Sequence, residues 1–223
     1  MLDLKNYLLD KDVYIKDEYF KDGKKFIDIE KQIDLIINFQ KILKGYTPKD
    51  KGCIRSEFGK RIDRIYVMTK KLEVIYKDKN IYEKEIIKKC NLGLKKIKEI
   101  NYREILKRGM LNNEFAIDRV DPANLRVGNE IQVGKIKKIT FNTVEEDFIN
   151  YMMKRKKVDK KNVIDDYVKQ YVEKSNLEKS SLHYINIILD IPQESLRYLY
   201  KFRGEENIDY SEFKSIAENE LEF

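Results

Sequence analysis

The stretch from Glu114 to Phe141 limits the fold more than any other part of this chain. It offers four short runs suited to strands, "EFAIDRV", "NLRV", "EIQVG" and "KIKKITF", broken by Pro122, Gly128-Asn129 and Gly134. Pro lacks an amide donor and Gly tolerates turn conformations, so both punctuate strands at such places. The sequence on either side has helical spacing. These features predict a small β meander set inside a mostly helical protein, an α+β fold class.

The helical spacing is plain in several places. Ile29, Ile33, Ile36 or Ile37, Gln40 and Leu43 share one side of a helix that Gly45 should end in the left-handed manner usual at helix C-termini. "TPKDKGCIRSEFG" reads as a loop. Phe58, Ile62, Ile65, Thr69, Leu72 and Tyr76 then form the strongest stripe in the chain, followed by Tyr82, Ile86, Cys90, Leu94 and Ile97 on a second helix and by the short "NYREILKRGML". Beyond the strands, Thr143 and Glu146 have the spacing of a capping box. Further helices are expected over about 162–174, 180–190, 193–203 and 210–219, with Pro192 at a helix start. At the front, "DVYIKDEYF" and "KKFIDI" flank Asp22-Gly23 and predict a β-hairpin. The whole reads as one domain, 1–223: a hairpin over 1–29 and a helical body over 30–223, with its β insert at about 115–141.

Composition narrows the function classes. The chain has 223 residues, 42% hydrophobic, enough for a sizeable core. A net charge of +7 permits an acidic partner, yet Lys far outnumbers Arg and no block is strongly basic, so nucleic acid is not the expected ligand. Cys53 and Cys90 match no metal spacing, and Cys90 falls on an apolar stripe as a buried thiol. The single histidine, His183, lies in the apolar run "SLHYINIILD" and is expected to be partly buried; having only one argues against a His base, a His triad or a His-rich metal site. "MLDLKNYLLDKDVY" has no leader pattern and no stretch is long and apolar enough for a membrane. The expectation is a soluble, cytoplasmic protein with no membrane partner.

The loop "RVDPANLRV" within the β insert raises the question of catalysis. A phosphotransferase needs a carboxylate to position the acceptor hydroxyl, then an Asn and a second acid to hold the metal that neutralises the phosphates. Asp121 takes the first position. Arg119 stands where a His would precede it, and Arg126 stands five residues on, where the metal-binding Asn belongs. Asn124 is nearer but in the turn. At the exit of the next hairpin, Thr140 and Asn142 occupy the places of metal-binding acids. A cationic Arg126 would repel the ion whose ligand it replaces.

The order hairpin, helices, β insert, helices resembles the large, C-terminal lobe of protein-kinase-like phosphotransferases. "FAIDRVDPANLRVGNEIQVGKIKKITFNTVEEDFINYM" and the tail "LDIPQESLRYLYKFRGEEN" are similar to the C-terminal part of CotS-type spore-coat proteins, relatives of the aminoglycoside and choline phosphotransferases. "VYIKDEYFKDGKKFIDIEKQIDLIINFQKILKGY" is similar to the end of that family's small lobe and the first helix of its large one. The resemblance implies that Asp147 braces the catalytic-type loop from the following helix. It also implies a short, degenerate member: the Gly-rich loop and strand Lys that grip ATP in relatives have no counterpart here, and no G-x-G-x-x-G or Walker pattern occurs. The implied function is a non-catalytic, pseudokinase-like structural or interaction protein of the spore coat or the mother-cell cytoplasm. No catalytic residue, cofactor or metal is expected, and the partners would be other proteins, coat components or a second copy. The alternative is a divergent small-molecule hydroxyl phosphotransferase using ATP and magnesium.

Plainer explanations exist for each feature. "DPAN" is a favourable β-turn on its own chemistry, with Asp first and Pro second. Asp118 beside it adds an acid without adding a metal ligand. Glu145, Glu146 and Asp147 are consecutive on a helix and so cannot converge on one ion; favourable charge at a helix start accounts for them. The aromatics of "LRYLYKF" (Tyr198, Tyr200 and Phe202) with Arg197, Lys201 and Arg203 read as core with a solvated rim.

Overall fold

Ten helices and six short strands follow one another in the computed structural model, which describes residues 2–21, 28–76, 81–203 and 209–221. The fold is α+β and mostly helical. Helix α8 (Lys179–Asp190) is central: α4 (Ile81–Glu99), α5 (Tyr102–Leu111), α6 (Glu145–Arg155) and α7 (Lys161–Lys174) all pack on it. Tyr184, Ile185, Ile187, Ile188 and Leu189 supply its buried surface. Around this centre, α2 (Ile29–Lys44) packs on α7, α3 (Lys60–Ile75) on α4 and α9 (Gln193–Lys201), and α10 (Tyr210–Leu221) on α9. One connected apolar core runs from Leu4 to Ala217. No helix among the described residues is long and apolar enough to cross a membrane.

The helical stripes form as their spacing demands. Ile65, Thr69, Leu72 and Tyr76 are buried along α3, and Cys90 is buried on α4 with its thiol pushed up to about 12 by burial. Asp28 caps α2, accepting from the amides of Glu30 and Lys31 at 3.1 and 3.3 Å. Gly45 does end α2, as its C-cap, but with a φ of −81° rather than in the left-handed region. A close approach accounts for the glycine, because a Cβ there would lie 2.7 Å from the Tyr7 hydroxyl, which donates to the Ile42 carbonyl. His183 is exposed on α8 rather than partly buried, since the helix turns that one position outward between Ser181 and Tyr184.

The strands depart further from expectation. The four pieces of the middle segment become β3 (Phe115–Ala116), β4 (Leu125–Val127), β5 (Ile131–Val133) and β6 (Thr140–Phe141), but they split between two sheets. The hairpin β4-β5 gains β1 (Val13–Ile15) on its outer edge, in parallel, with Val13 opposite Ile131. The pair β3-β6 gains β2 (Arg55–Ser56), also in parallel. A hairpin leaves two unpaired edges, and each sheet fills one with a strand from the front of the chain. So "DVYIKDEYF" pairs with a segment more than a hundred residues away. The Asp22-Gly23 turn and most of "KKFIDI" lie outside the described residues. Helix α1 (Leu2–Leu9), with Leu4 and Leu8 buried, precedes β1 and was not legible as a helix.

Candidate functional site

After β3 the chain enters the loop 117–124, and α6 fixes its first bend. The Asp147 carboxylate is wholly buried and accepts the amides of Ile117 and Asp118 at 3.0 and 2.7 Å. Asp118 has a φ of +74°, a conformation that Asp tolerates better than most side chains. Asn150, one turn on from Asp147, donates to both the carboxylate and the carbonyl of Asp118. Burial pushes the Asp147 carboxyl up to about 7, against the lowering effect of its two amide donors. A second anchor comes from α2: the buried Gln32 amide donates to the carbonyls of Val120 and Leu125 at 2.9 and 3.0 Å.

The turn "DPAN" closes on itself. The Asp121 carbonyl accepts from the amides of Asn124 and Leu125 at 2.7 and 2.8 Å, and its carboxylate accepts from the Ala123 amide at 3.0 Å. That carboxylate is also paired with Arg119 at 3.0 Å and with Lys154 of α6. Asn124 is fully buried and joins the turn to the hairpin beyond it. Its Nδ2 donates to the Arg119 carbonyl and its Oδ1 accepts from the Lys135 amide, both at 2.7 Å.

The segment 16–20 crosses the outer side of this loop. Phe20 is buried, and its amide donates to the Ala123 carbonyl at 2.9 Å. The Arg126 guanidinium lies 3.7 Å from the Phe20 ring centroid and donates to Gln132 at 2.9 Å; the Arg119 guanidinium lies 4.1 Å from the Tyr19 ring. Gly134 is needed where this segment passes, because a Cβ there would meet the Glu18 carbonyl at 2.8 Å. Tyr19 and Phe20 carried no chemical signal in the sequence.

The sequence candidates therefore fall into two groups. Asp121, Asn124 and Arg126 belong to the loop and its N-terminal cover. Thr140, Asn142 and Asp147 join Asp118 on the wall of a cleft of about 250 Å³, which α3 and α9 complete with Arg61, Arg64 and Arg197. Thr140 is buried, and its hydroxyl lies 3.4 Å from the Ala116 carbonyl. The Asn142 side chain accepts from the Thr143 amide at 3.0 Å.

Glu145, Glu146 and Asp147 stand in the first turn of α6 and point in three directions, and more than helix-start charge holds them. All three are buried, and each meets its own partner. Glu145 accepts from Arg108, whose other fork holds Glu114 at 3.0 and 3.1 Å, and from the Ser181 hydroxyl. Glu146 accepts from Arg61 at 2.7 Å and from the Tyr184 hydroxyl at 2.5 Å. Burial works against the charge on Arg108, and the Glu145 and Glu114 carboxylates outweigh it, holding the guanidinium above its ordinary value. The Thr143–Glu146 capping box does not form, because Glu146 is committed to Arg61 and Tyr184. The Glu114 carboxylate, which accepts from the Val144 amide at 3.1 Å, serves the helix start instead. Arg61 and Arg108 went unnoticed in the sequence, where each reads as one more charge on a helix rim.

Among the described residues no group of three or more His, Cys, Asp or Glu side chains is placed to hold a metal ion. No protein-family model matches the chain, and no curated protein sequence matches it either.

Proposed function

We propose that this chain is a non-catalytic interaction protein, built on an architecture resembling the large lobe of kinase-like phosphotransferases and acting by contact with other proteins. A spore-coat component or a second copy of the chain is the partner that the sequence resemblance suggests. The observation that supports this reading is the internal engagement of the loop. Asp121, the one carboxylate in the position of a catalytic base, is buried against Arg119, Lys154 and the Ala123 amide. A carboxylate engaged by two cations and a backbone amide has its lone pairs occupied, which suits a structural joint better than proton transfer. Asn124 spends both ends of its amide on backbone, and Phe20 and Tyr19 lie against the guanidinium groups of Arg126 and Arg119.

The test is calorimetric titration with ATP and magnesium, beside an Asp121→Asn variant. The expected result is no magnesium-dependent binding in either protein. Magnesium-dependent binding that disappears in Asp121→Asn, followed by phosphate transfer to a hydroxyl, would replace this reading with that of a divergent small-molecule phosphotransferase.

A further inference from the structure

A second depression adjoins the cleft described above and encloses about 580 Å³ between α1, the segment 46–57, α3 and the connection 137–140. The two share Glu57, Arg64, Lys138 and Thr140, so they lie side by side. Five cations line the larger groove, Lys49, Arg55, Arg64, Lys137 and Lys138, against the three acids Asp3, Asp50 and Glu57.

The two signs of charge are not equally placed. The cations reach outward: the side chains of Lys49, Arg55, Arg64 and Lys138 are 89%, 78%, 63% and 52% exposed. The acids are each engaged by neighbours, Asp3 accepting from the Tyr46 hydroxyl at 3.2 Å and the Lys49 amide at 3.3 Å. Asp50 accepts from the Gly52 amide and the Cys53 thiol within its own turn. Glu57, with a side chain only 10% exposed, is shared by Arg55 at 3.5 Å, Lys60 at 3.3 Å and Arg64 at 2.5 Å. Lys49 is also paired with Asp3 at 3.8 Å and Lys138 with Asp118 at 3.9 Å, but five lining cations against three lining acids among the described residues still leave the groove an excess of positive charge. Its wall is apolar in part, with Leu4, Pro48, Ile54 and Ile139.

We propose that this groove binds an acidic peptide segment of a partner protein, carboxylates on the five cations and apolar side chains against the wall. The proposal rests on the interaction-protein reading and names the chemistry of the partner. A peptide fits better than a nucleic acid, which in a groove of this kind needs open aromatic faces for its bases. Among the described residues the one aromatic lining it, Tyr46, is buried, with its ring against Tyr7 and Phe115 at centroid distances of 5.3 and 5.6 Å.

The experiment is fluorescence anisotropy with a short labelled peptide of alternating Glu and Leu, at low and at raised salt. Binding should be measurable and should weaken with salt. Arg55→Glu and Lys138→Glu should each weaken it roughly fivefold, the upper range for one exposed ion pair. Lys169→Glu, an exposed reversal on α7 outside the groove, should leave it unchanged. Lys137→Gln with Lys138→Gln, checked by an unaltered melting temperature, repeats the test without introducing new acids. The proposal is overturned by absence of peptide binding, by an equal loss in Lys169→Glu, or by tripolyphosphate or single-stranded RNA binding at least as tightly as the peptide. None of these outcomes depends on Asp121 or magnesium, so failure here and failure of the non-catalytic reading are separately visible.

Discussion

The Asp147 carboxylate accepts the amide of Asp118 at 2.7 Å, and Asp118 is the loop residue whose φ is +74°. One buried acid on α6 thus sets the bend from which the loop departs. Asp147→Ala would leave the buried Ile117 amide and the part-buried Asp118 amide without their acceptor, at a cost of about 1–3 kcal/mol for the buried one. Urea denaturation should show a loss of about 1–2 kcal/mol, toward the low end of that range, since removing a buried carboxyl also removes its own desolvation cost. Amide exchange should accelerate at Ile117 and Asp118. Unchanged exchange at both would deny Asp147 this role.

The same residue carries a pH dependence. Its carboxyl is raised from the ordinary 3.8 to about 7, so the folded state holds the proton more tightly than the unfolded chain. The contribution is fully present below about pH 4 and is lost as pH rises through 7, because the unfolded chain ionises first. Stability measured across that interval should fall less steeply in Asp147→Ala than in the parent protein. An identical slope in the two would assign the dependence to other groups.

Much of this fold was legible, and the reason differs by element. The stripe Ile65, Thr69, Leu72, Tyr76 is local, so its period alone places a helix and its buried face. Strands β4 and β5 were legible because Gly128-Asn129 marks the turn between them. The pairing of Val13 with Ile131 was not, since a backbone hydrogen bond leaves no trace in side-chain identity. Nor was the burial of Arg61 and Arg108. A charge on a helix reads as solvated, and their partners Glu146 and Glu145 lie 85 and 37 residues away. Asp121 and Asn124 were recognisable as a turn, but not the cations that occupy Asp121.

Arg108 is the clearest case of a charge that the interior requires. Its fork holds Glu114 and Glu145, the latter fully buried. Arg108→Met would strand both carboxylates and should cost about 3–5 kcal/mol. Adding Glu145→Gln should recover part of that loss, because a neutral amide can still serve the Ser181 hydroxyl without a buried charge. A double-mutant cycle in urea checks this, and simple additivity of the two losses would contradict it.

Phe20 anchors the N-terminal segment over the loop. It is buried and stacked by Arg126, and it immediately follows the residues that trail β1. Phe20→Ala should cost about 2–4 kcal/mol, somewhat under the range for a large core aromatic. It should also speed tryptic cleavage at Lys16 in native protein, where the parent resists. Equal cleavage rates would show that β1 and the helix α1 hold the segment without Phe20.

Gly45 and Tyr7 make a pair whose coupling has a definite sign. The φ of −81° at Gly45 suits any L residue, so alanine there should stabilise by about 0.4–1 kcal/mol through the unfolded chain. It should not do so in this protein, because the new Cβ would lie 2.7 Å from the Tyr7 hydroxyl and displace its bond to the Ile42 carbonyl. Gly45→Ala alone is therefore expected to destabilise by about 1 kcal/mol, the worth of one such hydrogen bond plus local crowding. In a Tyr7→Phe background the obstructing oxygen is gone, and the same substitution should become neutral or stabilising. Thermal melts of the four proteins measure the change. Gly45→Ala having the same effect with and without the Tyr7 hydroxyl would show that close approach is not why glycine stands there.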